Sequence, residues 1–84
     1  MIPILDLLNK IKWDKREKPE EYSIFYFDRI LKKLIEIKFE DIKKIDESFM
    51  ILERNGEGAS IPLHRVREVR KLGKLIWKRK STEN

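Results

Sequence analysis

Apolar residues recur along the chain with two different periods, and the change of period separates an opening helix from a succession of strands. Ile4, Leu5, Leu8 and Ile11 lie at i, i+1, i+4 and i+7, one face of an amphipathic helix. Pro3 suits the first helical turn, while Asp6 near the start and Lys10 and Lys12 near the end complement the helix dipole. Trp13 follows at the helix exit. Residues 14–21 then hold no apolar side chain except the ring of Pro19, the pattern of an exposed connector.

Beyond the connector the period shortens. From Tyr22 to Arg29 aromatic and β-branched residues dominate, which predicts a strand with Tyr22, Ile24 and Tyr26 on one face and Phe25 and Phe27 on the other, both faces covered. In Lys33 to Phe39, Ile35, Ile37 and Phe39 alternate with Glu36 and Lys38, a strand with one wet face. Glu40 to Asp46 suits a short helical turn or a loop, since Ile42 and Ile45 are three apart. Phe49 to Glu53 is apolar again and runs into Asn55-Gly56, a hairpin signal, with a further strand expected near Ala59. Val66 and Val69, also three apart, fit a helical turn or a bulged strand, and the strand is preferred. Leu72-Gly73-Lys74 makes a turn, Leu75 to Arg79 a last strand with Leu75 and Trp77 on one face, and residues 80–84 should fray.

The order of elements gives an α+β fold in which an N-terminal helix packs on one mainly antiparallel sheet of about five to six strands, strongly twisted or barrel-like. Length limits this to a single domain over residues 1–84, because a core is already marginal at such a size. The hydrophobic share of 40% suffices for a thin core under a surface in which 42% of all residues are charged, so disorder is not expected. With no cysteine, stability must come from packing and ion pairs. A surface so rich in Lys and Glu is also the habit of proteins from hot environments. The start, Met1-Ile2-Pro3-Ile4-Leu5-Asp6, lacks the basic region of a secretory signal, and no apolar run reaches the roughly 18 residues of a membrane span. A cytoplasmic protein is expected.

Charge adds an asymmetry that the hydrophobic pattern does not show. Residues 1–63 carry 12 basic and 13 acidic side chains, whereas residues 64–84 carry 8 basic ones against Glu68 and Glu83. The positive field therefore comes from the last quarter of the chain, which either steers an anionic partner or forms a solvated basic tail.

Candidate chemistry is limited by what is missing. A single histidine, His64, with no cysteine leaves too few ligands for a zinc site, and no Gly-x-Ser-x-Gly elbow supports a nucleophilic triad. No glycine-rich phosphate loop is present, and neither a metal nor a cofactor is implied. Two His-x-Ser/Thr motifs, as a two-histidine cyclic phosphodiesterase would need, cannot be built. Asp28, directly after an apolar strand and beside Arg29, suits a turn-forming or ion-paired carboxylate better than an acid catalyst. What remains is a set of phosphate donors: His64, Arg65, Arg67 and Arg70, with Arg29 from another strand, each guanidinium offering a planar fork. Trp13, Tyr26 and Trp77 could stack on nucleobases or serve as packing anchors.

The helix end Ile11-Lys12-Trp13-Asp14, then Tyr26-Phe27-Asp28-Arg29, Ile61-Pro62-Leu63-His64-Arg65-Val66 and Gly73-Lys74-Leu75-Ile76-Trp77-Lys78-Arg79 together resemble the RNA cyclic-group end recognition domain, an archaeal family. Tyr-x-Asp-Arg and Ile-Pro-x-His-Arg are the most specific parts of the match; Lys78 stands where an acidic residue is frequent. The resemblance implies binding of RNA termini that carry a 2′,3′-cyclic phosphate, with catalysis left to an RNA ligase or phosphoesterase, and points to Tyr26, Asp28, Arg29, His64, Arg65, Trp77 and Arg79. The resulting expectation is an RNA-binding module with Arg29, His64, Arg65, Arg67 and Arg79 on phosphate, supported by Tyr26, Asp28, Trp13 and Trp77. Two other readings compete: a weak RNA nuclease or cyclic phosphodiesterase using His64, and a protein-interaction domain with a basic edge.

Overall fold

The computed structural model describes residues 2–54 and 56–79 of the chain. Helix α1 (Ile4–Trp13) is followed by strands β1 (Tyr22–Asp28), β2 (Lys33–Lys38), β3 (Ile42–Ile45), β4 (Phe49–Arg54), β5 (Glu57–Pro62), β6 (Val66–Lys71) and β7 (Lys74–Lys78). Three single turns of 3₁₀ helix, Pro19–Glu21, Phe39–Asp41 and Leu63–Arg65, stand before β1, β3 and β6. The α+β class and the N-terminal helix agree with the sequence pattern. The single sheet does not: the strands form two antiparallel sheets, one of order β2-β1-β6-β7 and one of order β3-β4-β5, and neither closes into a barrel.

Two of the 3₁₀ turns explain the division. The chain leaves the first sheet through Phe39–Asp41 and returns to it through Leu63–Arg65, and each turn buries one apolar side chain, Phe39 and Leu63, in the core. Each thus acts as a pivot that redirects the backbone without leaving a gap. The segment Glu40 to Asp46, open between helical turn and loop, is the end of one such pivot followed by β3.

One core cluster joins the layers. Ile4, Leu7, Leu8 and Ile11 of α1 meet Tyr22, Ile24 and Ile37 of the larger sheet and Met50, Leu52 and Ile61 of the smaller one. Leu7 is fully part of the buried helical face, whereas Leu5 is only half-buried at its margin. Pro3 caps the helix from just outside it. The connector is tied down at Glu17 and at Glu21: the Tyr22 hydroxyl donates to Glu17, whose carboxylate also lies 3.7 Å from Lys71 Nζ, and the Glu21 carbonyl accepts the Leu72 N–H at 2.8 Å. Burial, then the bond to Glu17, pushes the Tyr22 phenol pKa well up.

Two bulges decide which side chains face inward. Phe25 pairs with Glu68 and Tyr26 with Val66, so Arg67 is the extra residue, and Val66 and Val69 both reach the core despite their spacing. The preferred bulged strand is therefore present, although His64 and Arg65 belong to the preceding 3₁₀ turn. A second bulge pairs Arg70 with Leu75 and Val69 with Trp77, leaving Ile76 as the extra residue. Trp77 is buried while Leu75 is exposed, contrary to the expectation that they share a face.

The β1 strand also differs from expectation on one side. Tyr22 and Ile24 are buried, but Phe25 and Phe27 are only half-buried, with a guanidinium and not a second layer above each ring. β5 begins at Glu57, two residues before Ala59. Gly56 takes φ 81 in the β4–β5 turn; Asn55 and residues 80–84, for which a turn and a frayed tail are expected, lie outside the described residues. Among the described residues no helix is long and apolar enough to cross a membrane.

Candidate nucleic-acid interface

The end of β1 turns on a carboxylate. Asp28 Oδ1 accepts the backbone N–H groups of Ile30 and Leu31, each at 2.9 Å, and the Asp28 carbonyl accepts Lys32 N–H at 2.7 Å. This is the side-chain-to-backbone turn that Asp forms most readily, and it fixes the loop Arg29-Ile30-Leu31-Lys32 before β2 begins. Lys32 closes the loop with φ 56, a left-handed conformation. Asp28 thereby spends much of its negative character on its own loop.

The second element is the 3₁₀ turn Leu63–Arg65, whose carbonyls are held by arginines. Arg79 donates from Nε to the Val66 carbonyl at 2.8 Å and from Nη2 to the Leu63 carbonyl at 3.0 Å, and its backbone N–H bonds the Arg67 carbonyl. Arg67 donates from Nη1 to the His64 carbonyl at 2.7 Å. Burial, followed by repulsion from Arg67, lowers the Arg79 pKa. Two guanidinium groups predicted to meet phosphate are thus engaged in fixing the backbone of the turn that presents His64 and Arg65.

Between loop and turn lies an open hollow of about 460 Å³ lined by Tyr26, Asp28, Arg29, Ile30 and Arg65. Its volume lies within the range of small-molecule sites and exceeds what a phosphate alone would fill. The wall contains an anomaly: Arg65 Nε is buried and, among the described residues, has no hydrogen-bond partner. Buried donors are almost always satisfied, so this orphan sets Arg65 apart from the arginines whose nitrogens are engaged by backbone carbonyls.

The candidates drawn from the sequence therefore separate. Tyr26, Asp28, Arg29 and Arg65, from two distant segments, come together in the hollow. His64 is exposed on the same turn as Arg65 but does not line it. Arg67 and Arg79 support the turn from behind. Trp77 is buried in the core, its Nε1 donating to the Ile2 carbonyl at 2.8 Å, so it is a packing anchor. Trp13 is 72% exposed at the end of α1 with Lys12 Nζ 5.3 Å from its ring centroid, and it is absent from the lining. Ile30 is the lining residue that the sequence reading passed over; the turn signal at Asp28 places it at a loop tip, where an aliphatic residue has no core to fill. It is 91% exposed. No cluster of three or more potential metal ligands occurs among the described residues.

The basic C-terminal quarter is organised, not a free tail, over its described part: Arg65 lies on the 3₁₀ turn and Arg67, Arg70, Lys71, Lys74 and Lys78 on β6 and β7.

Comparison with known proteins places this geometry in context. The family description MJ1316 RNA cyclic group end recognition domain matches residues 1–79. A UPF0248 protein of Metallosphaera sedula is 41% identical over 76 residues, covering 90% of this chain and 91% of that protein. A UPF0248 protein of Saccharolobus solfataricus is 39% identical over 79 residues, covering 90% of this chain and 95% of its own length. Another from Saccharolobus islandicus is 38% identical over 79 residues, with 90% and 98% covered. No solved structure matches. A match over nearly the entire described chain, together with relatives of the same length, means that this protein belongs to the MJ1316 RNA cyclic group end recognition domain family.

Proposed function

We propose that the protein binds RNA at its 3′ terminus and recognises a 2′,3′-cyclic phosphate there, acting as a module of RNA processing or repair. The observation that carries this reading is the convergence of Arg29 and Arg65, from two distant segments, on one open hollow, with Arg65 Nε left without a partner among the described residues. A cyclic phosphodiester presents two unesterified oxygens and one negative charge. One guanidinium can take an oxygen in its fork while a second guanidinium takes the other. The room left beside them fits the ribose and base, with the Tyr26 ring as a stacking surface. The family description supports the same class of ligand. His64, outside the lining, is an outer donor to the adjoining phosphate in this scheme.

Discrimination from a linear 3′-phosphate cannot rest on attraction alone, because the linear group carries up to one more negative charge. It must come from shape: the cyclic ester fills a compact wedge, whereas the linear group carries a third unesterified oxygen. Matched short RNAs ending in cyclic phosphate, 3′-phosphate or hydroxyl test this directly by titration. The cyclic end should bind tightest, and Arg65→Lys, which keeps the charge but loses the fork, should weaken it by about 2 kcal/mol. Equal affinity for the three ends would leave only general RNA binding. Conversion of the cyclic end during the titration would shift the reading towards hydrolysis, and purification of a stable complex with an RNA ligase or phosphoesterase would identify a partner.

A further inference from the structure

The larger sheet has two sides, and only one of them is used by the core. Buried residues of β1, β2, β6 and β7 all come from the inner side, among them Ile24, Ile37, Val69 and Trp77. Following the register, the other side carries three rows across the strands: Leu34 with Phe27, then Glu36, Phe25, Glu68 and Lys78, then Lys38, Ser23, Arg70 and Leu75. Leu34, Lys38, Leu75 and Lys78 on this side are exposed. It is an antiparallel sheet face turned to solvent with two phenylalanines at its centre.

Those phenylalanines are not bare. The guanidinium carbon of Arg70 lies 5.1 Å from the Phe25 ring centroid, and that of Arg67 lies 5.9 Å from the Phe27 ring centroid. Arg70 is further fixed by Glu68, whose Oε1 accepts from Nε at 3.1 Å and Nη2 at 2.9 Å. Arg67 is fixed by its bond to the His64 carbonyl. Each pair is a guanidinium held at a ring by a second contact, so little side-chain freedom remains to be lost on binding. Residues i and i+2 of a strand stand about 6.8 Å apart on one face, which spaces the pairs for successive bases. With Lys38 on one edge strand and Lys78 on the other, the cations of this face outnumber Glu36 and Glu68, and Glu68 is already paired. An extended polyanion with flat, stackable groups is the ligand class such a face fits.

We propose that this open face is a second RNA-contacting surface, on which unpaired nucleotides 5′ of the bound terminus stack on the Phe27–Arg67 and Phe25–Arg70 pairs. Alternation puts Phe27 on the face opposite Tyr26 and Asp28, so RNA leaving the hollow would reach this face over the end of β1 and past the 3₁₀ turn, whose His64 carbonyl Arg67 holds. The proposal takes RNA as the ligand from the reading above but does not depend on the chemistry of its end.

The test compares a nucleoside 2′,3′-cyclic phosphate with a single-stranded tetranucleotide bearing the same end. The tetranucleotide should bind at least tenfold tighter, and Phe25→Leu or Phe27→Leu, which retain apolar bulk, should each remove about tenfold from the tetranucleotide while leaving the mononucleotide unchanged. In the wild-type protein the ring proton NMR signals of Phe25 and Phe27 should shift with the tetranucleotide and stay in place with the mononucleotide, a readout that needs no variant. Equal affinity of the two ligands, or ring signals indifferent to length, overturns the proposal and returns this face to contact with protein. A tetranucleotide that binds tightly whatever its terminal group, and still shifts the rings, upholds the open face and removes cyclic-end recognition instead.

Discussion

Arg65 and Arg79 put the same side chain to different uses. Arg79 reaches the Leu63 carbonyl of the 3₁₀ turn and the Val66 carbonyl just after it with two nitrogens in a partly buried setting, which only a forked donor can do. Arg79→Lys should therefore lower stability by about 1–3 kcal/mol in denaturant unfolding and weaken RNA-end binding indirectly. Arg65→Lys should affect the binding while leaving the unfolding midpoint where it was. A second residue-scale prediction concerns pH. Asp14 accepts side-chain and backbone bonds from Arg16, which hold its carboxyl at about 2. Because the folded value lies below the unfolded one, this contribution is present above the unfolded pKa and is lost as pH falls through about 2. A carboxyl carbon titration should find that midpoint, and Arg16→Ala should raise it part of the way towards the ordinary carboxylate range, because the backbone N–H of residue 16 remains.

At the scale of elements, the β6–β7 turn shows a local conflict. Leu72 and Gly73 both have positive φ, 52 and 84, the conformation of a two-residue hairpin that favours Asn-Gly. Leu72 is nevertheless leucine and 74% exposed, so it gains little packing for its strained backbone. Leu72→Asn should raise stability by about 1 kcal/mol, read as a shift of the thermal midpoint. Alternation identified β1 and β2, whose inward residues repeat every second position, while an apolar run ending in a turn signal identified β4. It failed at β7, where the extra residue Ile76 turns Leu75 away from Trp77, and at β3, where an apolar spacing of three hides a short strand behind a 3₁₀ turn. A bulge changes facing without changing composition: at β6 the spacing of three left a bulged strand open beside a helical turn, whereas at β7 nothing in the pattern marked it. The site was legible to a similar degree. Residue type marked Arg29 and Arg65, but Arg67, Arg79 and Trp77 carry the same functional types and point to backbone or core, a distinction that only the folded chain makes.

For the molecule as a whole, two small sheets and one helix depend on a single core. Ile24 is fully buried at the centre of the larger sheet and belongs to the cluster that also contains Leu8 and Met50. Ile24→Ala should cost about 2–5 kcal/mol, a large part of the roughly 5–15 kcal/mol typical of a domain. Because neither sheet has a core of its own, unfolding should remain one transition, with far-UV circular dichroism and NMR signals of β4 and β6 lost together. Separate midpoints for the two sheets would show that they are independently stable.

The bond from the Trp77 indole to the Ile2 carbonyl has a practical corollary. The protein contains two tryptophans, one sheltered at the seam between the first residues and the last strand, the other in water at the end of α1. Replacing Trp13 by phenylalanine would leave one indole whose emission colour, excited beyond the tyrosine band, reports the closure of that seam, while collisional quenchers in the native protein would dim the Trp13 indole and spare that of Trp77.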